Sequence, residues 1–196
     1  MFQVFYNNDE WTFYTAEDKN RMKFFSHKDS TMFGIPFPEK FDAKMEWLDQ
    51  FIIYNPSIMV DFKKKQIVLG SNLLGQIEFF DFEGNLLHKL EFEKNLIERK
   101  DFGQLYNVKS FIFQLESDGQ FIYALNKNNR LGATAADDDW QAMQLLVFDK
   151  NGTLLKTLPF SDQKFITSIA LDRKEQKLYA YSLHEEKHNI FVYDLE

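Results

Sequence analysis

Two stretches decide the reading of this chain: Phe79-Phe80-Asp81-Phe82-Glu83-Gly84-Asn85-Leu86-Leu87 and Val147-Phe148-Asp149-Lys150-Asn151-Gly152-Thr153-Leu154-Leu155. Each runs through an apolar pair, an Asp, two residues, a Gly and the start of a second apolar segment. That layout is a β-hairpin: the Gly takes the positive φ a tight turn needs, and the Asp side chain bonds the turn amides. Short alternating or apolar segments surround both copies. Ile58–Phe62, Gln66–Leu69, Gln76–Phe82 and Leu86–Phe92 form a first set, and Ser110–Phe113, Gln120–Leu125, Gln144–Asp149 and Thr153–Leu158 repeat the same order.

A third copy, Ile166–Asp172, Lys177–Ser182 and Ile190–Asp194, lacks the turn and fourth strand. Asp149 and Asp194 are 45 residues apart, close to the ~40–50 residues of a propeller blade, whereas the 68 from Asp81 to Asp149 leave room for insertions. At the other end, Gln3–Tyr6, Trp11–Thr15 and Arg21–Phe25 read as the last strands of another blade. The expected fold is therefore all-β and β-propeller-like, with three to four antiparallel blades in a single domain, 1–196. The expected division is a partial blade at 1–25, a connector at 26–49, a blade at 50–107, a blade at 108–163 with an insertion at 126–143, and an incomplete blade at 164–196. Two prolines in Gly34-Ile35-Pro36-Phe37-Pro38 exclude a central strand there, and Lys40–Trp47 has room for one helical turn.

Composition agrees. The chain has 196 residues, 44% hydrophobic and 27% charged, with 22 Phe, which suits pleated, half-buried surfaces. The formal charge of −7 and the lack of any basic cluster beyond Lys63-Lys64-Lys65 argue against a nucleic-acid partner. No cysteine is present, so disulfides, thiolate nucleophiles and Cys-ligated zinc are excluded. No apolar run is long enough for a membrane span, and no basic-then-apolar start marks a signal peptide.

The set Phe33-Gly34-Ile35-Pro36-Phe37-Pro38, Ile77–Asp81, Leu146–Gly152, Ser168–Asp172 and Lys177–Ala180 resembles the TolB-like six-bladed β-propeller proteins of the Bacteroides group, from about Phe33 onward. The resemblance implies a partial six-bladed propeller and a location in the cell envelope or periplasm. It brings no catalytic residues, because that family is largely uncharacterised.

Motifs with possible chemistry are few. His184-Glu185-Glu186-Lys187-His188 has the spacing of a zinc-peptidase motif, but that chemistry needs both imidazoles on one helical face, and strand-like residues flank it on both sides; a polar hairpin loop is the expected form. Asp137, Asp138 and Asp139 are adjacent and do not alternate as calcium ligands do. With Arg130 before them and Trp140 after them, they mark the long insertion, which is where a rigid scaffold carries a binding surface. Arg130, Asp137, Asp138, Asp139 and Trp140 are the candidate binding residues; no catalytic residue, metal ligand or cofactor is identified. Trp11, Trp47 and Trp140 read as packing between blades, and His88, between Leu87 and Lys89, as outward-facing.

Two functions remain open at this point. One is a non-enzymatic binding or scaffold module with a protein or small-ligand partner. The other is a metal-dependent hydrolase or lyase with its site in the central channel. An incomplete ring leaves open blade edges that favour a homodimer. In a four-bladed ring, by contrast, the N-terminal strand pairs with Ile190–Asp194.

Overall fold

The computed structural model describes residues 3–7, 10–17, 20–26, 31–36, 52–54, 56–91, 104–133, 143–160, 165–182 and 189–195; in the first four strands the described side chains are Met22, Phe24 and Ile35. The strands fall into four sheets, each an antiparallel meander in chain order. Sheet 1 holds β1 (Gln3–Asn7), β2 (Glu10–Glu17), β3 (Asn20–Ser26) and β4 (Thr31–Pro36). Sheet 2 holds β5 (Pro56–Asp61), β6 (Gln66–Ser71), β7 (Gln76–Asp81) and β8 (Leu86–Glu91). Sheet 3 holds β9 (Lys109–Ser117), β10 (Ile122–Arg130), β11 (Gln144–Phe148) and β12 (Leu154–Pro159). Sheet 4 holds β13 (Ile166–Asp172), β14 (Lys177–Ser182) and β15 (Ile190–Asp194).

Burial shows how the sheets stand. In sheets 2 and 3 the middle strands β6, β7, β10 and β11 are buried almost throughout, while β12 is exposed along its length and β8 over most of it. Near-continuous burial requires cover on both faces of a sheet. The first strands meet in turn, with β9 packed against β5, β6 and β13. Sheets whose first strands converge and whose fourth strands lie at the rim are propeller blades.

Three apolar layers hold the row together. Met22, Phe24 and Ile35 of sheet 1 pack on Ile58, Ile67, Leu69 and Phe80 of sheet 2. On its other face, sheet 2 turns Val68, Ile77 and Phe79 to Phe111, Ile112, Leu115, Ala124 and Phe148 of sheet 3. Sheet 3 then sets Tyr123, Leu125, Leu145 and Val147 against Ile166, Ile169, Leu178 and Ala180 of sheet 4. The rich Phe content is used here, since Phe24, Phe79, Phe111 and Phe148 are among the largest fully buried side chains. Gly70 allows sheets 2 and 3 to approach closely: a Cβ there would overlap the Ile112 side chain.

Five aspartates close the short turns. Asp61, Asp118 and Asp172 sit between first and second strands, and Asp81 and Asp149 between third and fourth. Each accepts turn N–H groups on its Oδ1. The two hairpins matched in the sequence are superposable bond for bond. Asp81 accepts from Glu83 N at 3.0 Å and Asn85 N at 2.8 Å, and Asp149 from Asn151 N at 2.9 Å and Thr153 N at 2.7 Å. Gly84 and Gly152 have φ of 86° and 83°.

Three expectations change. Thr31–Pro36, assigned to the connector, forms β4; Pro36 is tolerated because it ends the last strand of its sheet, where no further strand needs its missing N–H. Residues 126–130, assigned to the insertion, instead extend β10. The N-terminal strand does not complete sheet 4: β1 pairs with β2 in sheet 1, and β15 pairs with β14. The helical turn expected at Lys40–Trp47 lies outside the described residues.

Two substitutions test the turns. Gly119 (φ 91°) has open space around it, whereas a Cβ on Gly152 (φ 83°) would overlap Leu90 of the neighbouring sheet. Urea denaturation is expected to show Gly119→Ala losing about 1–2 kcal/mol and Gly152→Ala about 2–4 kcal/mol. The bond from Thr153 N, with those from Asn151 and Gly152, holds the Asp149 carboxyl below its ordinary value of 3.8. A carboxyl depressed in the folded state contributes stability above its unfolded value, and that contribution disappears as pH falls through the folded value. Asp149→Ala should therefore be less stable than the parent at pH 7, and the two melting temperatures should converge below about pH 4.

Candidate functional site

The two ends of the blades are built differently. One end carries the tight Asp turns. The other carries the β6–β7 and β10–β11 connections and the segments that lead into β5, β9 and β13. At this second end the connections have a small core of their own. Ile53 from a helical turn at 52–54, Leu73 from the β6–β7 turn, and Leu105 from a 3-10 turn, Leu105–Asn107, are buried together, with Val108 and Leu131 packed alongside. A face built from long connections over a packed floor is suited to recognition.

Arg130 lies at the edge of this floor. It ends β10, whose pairing with β9 shifts register between Leu125 and Asn126 and again before Asn129. Asn128 sits at φ 52°, a left-handed conformation that Asn tolerates. The Asn126 Oδ1 accepts the Asn128 N–H at 3.2 Å, and Asn129 Nδ2 donates to the Lys127 carbonyl at 2.8 Å. Lys127 is buried; its Nζ donates to the Leu131 carbonyl at 2.6 Å and stands 5.4 Å from the Phe165 ring centroid. Leu131 N–H and Gly132 N–H donate to the carbonyls of Val108 and Tyr106, each at 2.8 Å. The root of the β10–β11 connection is thus tied to the β8–β9 connection, with Tyr106 exposed and Arg130 half-buried. Of the five predicted binding residues, Arg130 is placed here. Asp137, Asp138, Asp139 and Trp140 lie outside the described residues.

The His184–His188 motif, His27 and Trp47 also lie outside the described residues, as does the Trp11 side chain. His88 departs from the outward-facing expectation: its ring stacks on Phe79 at 4.0 Å between centroids and 12° between planes, as the cross-strand partner of that Phe. Among the described residues, no group of three His, Asp or Glu comes together as a metal site would require, and no helix is long and apolar enough to cross a membrane.

Sequence patterning did not reveal the polar seams between sheets. On β9, Gln114 clasps β13 across the interface: its Oε1 accepts the Ile169 N–H and its Nε2 donates to the Ile169 carbonyl, both at 2.8 Å. Nε2 also reaches Glu116 Oε1 at 3.0 Å. Between sheets 2 and 3 the corresponding grip comes from Asn72, whose carbonyl accepts the Phe111 N–H and whose side chain accepts the Ser110 hydroxyl. A Gln inside the apolar run Phe111–Leu115 was the available signal.

Solved structures share this fold. A Bacteroides vulgatus member of the DUF4221 family matches with a TM-score of 0.60 at 10% identity, over 97% of this chain and 61% of that one. The complex of KlAtg21 with the coiled coil of AgAtg16 matches with a TM-score of 0.52 at 15% identity, over 97% and 54%. The extracellular domain of a Bacteroides thetaiotaomicron protein described as a one-component system gives 0.50 at 12%, over 97% and 21%. The chain spans less than two thirds of each. No family model matches it, and no curated protein matches it significantly. At these identities the likeness establishes a propeller-like, all-β fold.

The seam gives paired predictions. Gln114→Leu strands the Ile169 N–H and carbonyl and should cost about 1–3 kcal/mol in urea denaturation. Burial pushes the Glu116 carboxyl above its ordinary 4.5, against the opposing pull of the Gln114 amide and the Arg173 charge. An acid raised in the folded state opposes folding once it ionises, so Glu116 costs stability at neutral pH and not in acid. Glu116→Gln keeps an acceptor for Gln114. It should melt higher than the parent at pH 7, with the difference vanishing below about pH 4.

Proposed function

We propose that this chain, 1–196, acts as one β-propeller module that binds a protein or small ligand without catalysis, in the bacterial cell envelope. The observation that carries the reading is the difference between the two ends: Asp turns of minimal length at one, and at the other a floor of packed connections bearing Arg130 and Tyr106. A preorganised surface loses little entropy on binding, which favours recognition. Envelope location rests on the resemblance to TolB-like propellers in the Gly34–Pro38 segment and the Asp hairpins, and Asp137–Trp140 join the binding surface in this reading.

Differential scanning fluorimetry against neutral sugars, anionic sugars, and acidic and basic peptides tests it. One class should raise the melting temperature. Arg130→Ala with Tyr106→Ala should weaken that ligand at least tenfold, about 1.4 kcal/mol, while Leu155→Lys on the rim strand β12 should not. A ligand whose affinity survives the Arg130 and Tyr106 changes, or turnover of the ligand, would count against the reading.

A further inference from the structure

Among the described residues, the large apolar side chains left exposed lie on the rim strands β8 and β12 and on β14 and β15, with one exception. Tyr106, at the connection end of the blades, is 57% exposed. It is the middle residue of the 3-10 turn Leu105–Asn107, which is closed by the Asn107 N–H on the Gln104 carbonyl at 2.9 Å and the Val108 N–H on the Leu105 carbonyl at 3.0 Å. Its neighbour Leu105 is buried in the floor with Ile53 and Leu73. Gly132 comes in against the base of the Tyr106 side chain: a Cβ there would stand 3.2 Å from Tyr106 Cβ and 3.8 Å from Cδ2, and the Gly132 N–H donates to the Tyr106 carbonyl at 2.8 Å. The exposed ring is therefore carried on backbone that two connections hold in place. Gln104 and Asn107, both exposed, flank it, and the Gln104 side chain makes no capping bond to the turn. No charged side chain lies within Gln104–Val108.

We propose that this turn is a subsite for a neutral pyranose ring, with Tyr106 as the stacking platform and the Gln104 and Asn107 amides as ligands of the sugar hydroxyls; the proposal rests on the reading of the connection end as the binding face. A pyranose has a face of apolar C–H groups and a rim of hydroxyls, each able to donate and to accept. An aromatic face covers the C–H groups, and both surfaces leave water. A primary amide suits the rim, because it carries an acceptor oxygen and two N–H donors in one plane. Carboxylates and guanidinium groups recognise charge; a ring flanked by amides selects a neutral ligand. The seat lowers the entropy lost on binding, since a Tyr side chain has only two torsions to fix and its backbone is already ordered. An amphipathic helix would need an apolar groove, whereas Ile53, Leu73 and Leu105 are already buried against one another.

Isothermal titration calorimetry of the full chain with maltohexaose, cellohexaose, laminarihexaose and mannohexaose tests it. At least one of these neutral sugars should bind. Tyr106→Ala should raise its dissociation constant by about tenfold or more, with an unchanged circular dichroism spectrum, while Tyr106→Phe, which keeps the ring, should stay within about threefold of the parent. Removing both amides, Gln104→Ala with Asn107→Ala, should weaken binding by about fivefold or more. In saturation-transfer NMR the C–H protons of one pyranose face should receive more magnetisation than those of the other. No heat with any of the four sugars, affinity indifferent to Tyr106→Ala, or equal losses in Tyr106→Phe and Tyr106→Ala would each overturn the proposal. A charged peptide bound through Arg130 while no sugar binds would leave the connection end standing as the binding face and overturn the pyranose subsite alone.

Discussion

A four-stranded sheet with apolar residues on both faces is unstable until both faces are covered, and nearly everything else in this molecule follows from that requirement. Alternation along β6, β7, β10 and β11 sends every second side chain into one layer and its neighbours into the next. The same strand therefore belongs to two cores: Tyr123 and Leu125 on one side, Ile122 and Ala124 on the other. Covering both sides of each sheet in turn produces a row of blades. Right-handed strand twist turns that row about an axis, with the first strands of sheets 2, 3 and 4 meeting and the fourth strands of sheets 2 and 3 exposed.

Hydrophobic cover alone sets no register between sheets, because apolar layers slide cheaply. Directional bonds do set it. Gln114 and Asn72 each reach across a seam to backbone groups of the next first strand, and the turn at Gly152 abuts Leu90 and His88 of the preceding sheet's rim strand. The layer between sheets 2 and 3 is thus pinned both near its first strands and at its rim, and the layer between sheets 3 and 4 at its first strands.

The hairpins were legible in the sequence because their geometry is local: an Asp, two residues and a positive-φ Gly specify a turn without reference to anything distant. The repeat order then gave the blades. Elements that depend on a neighbour were harder to see. Thr31–Pro36 carries a Gly and a Pro and has weak strand character of its own, yet it pairs because β3 presents a partner. The continuation of β10 through Asn126–Arg130 is polar enough to read as a loop, and it becomes strand by pairing with Lys109–Ile112 under two register shifts. Of the candidate site, Arg130 was legible as the residue flanking an insertion. The floor beneath it, from Ile53, Leu73 and Leu105, was not, since those residues come from three connections with no shared pattern.

The strict chain order within each sheet matters for how the molecule is made. Within each sheet, every strand after the first pairs with the one translated just before it, so a nascent chain can zip each meander as it leaves the ribosome, without waiting for distant sequence. The partly built stack then offers a finished template to each new sheet. Assembly is vectorial, and the search for partners is short at every step, an economy that all-β proteins with long-range pairings lack.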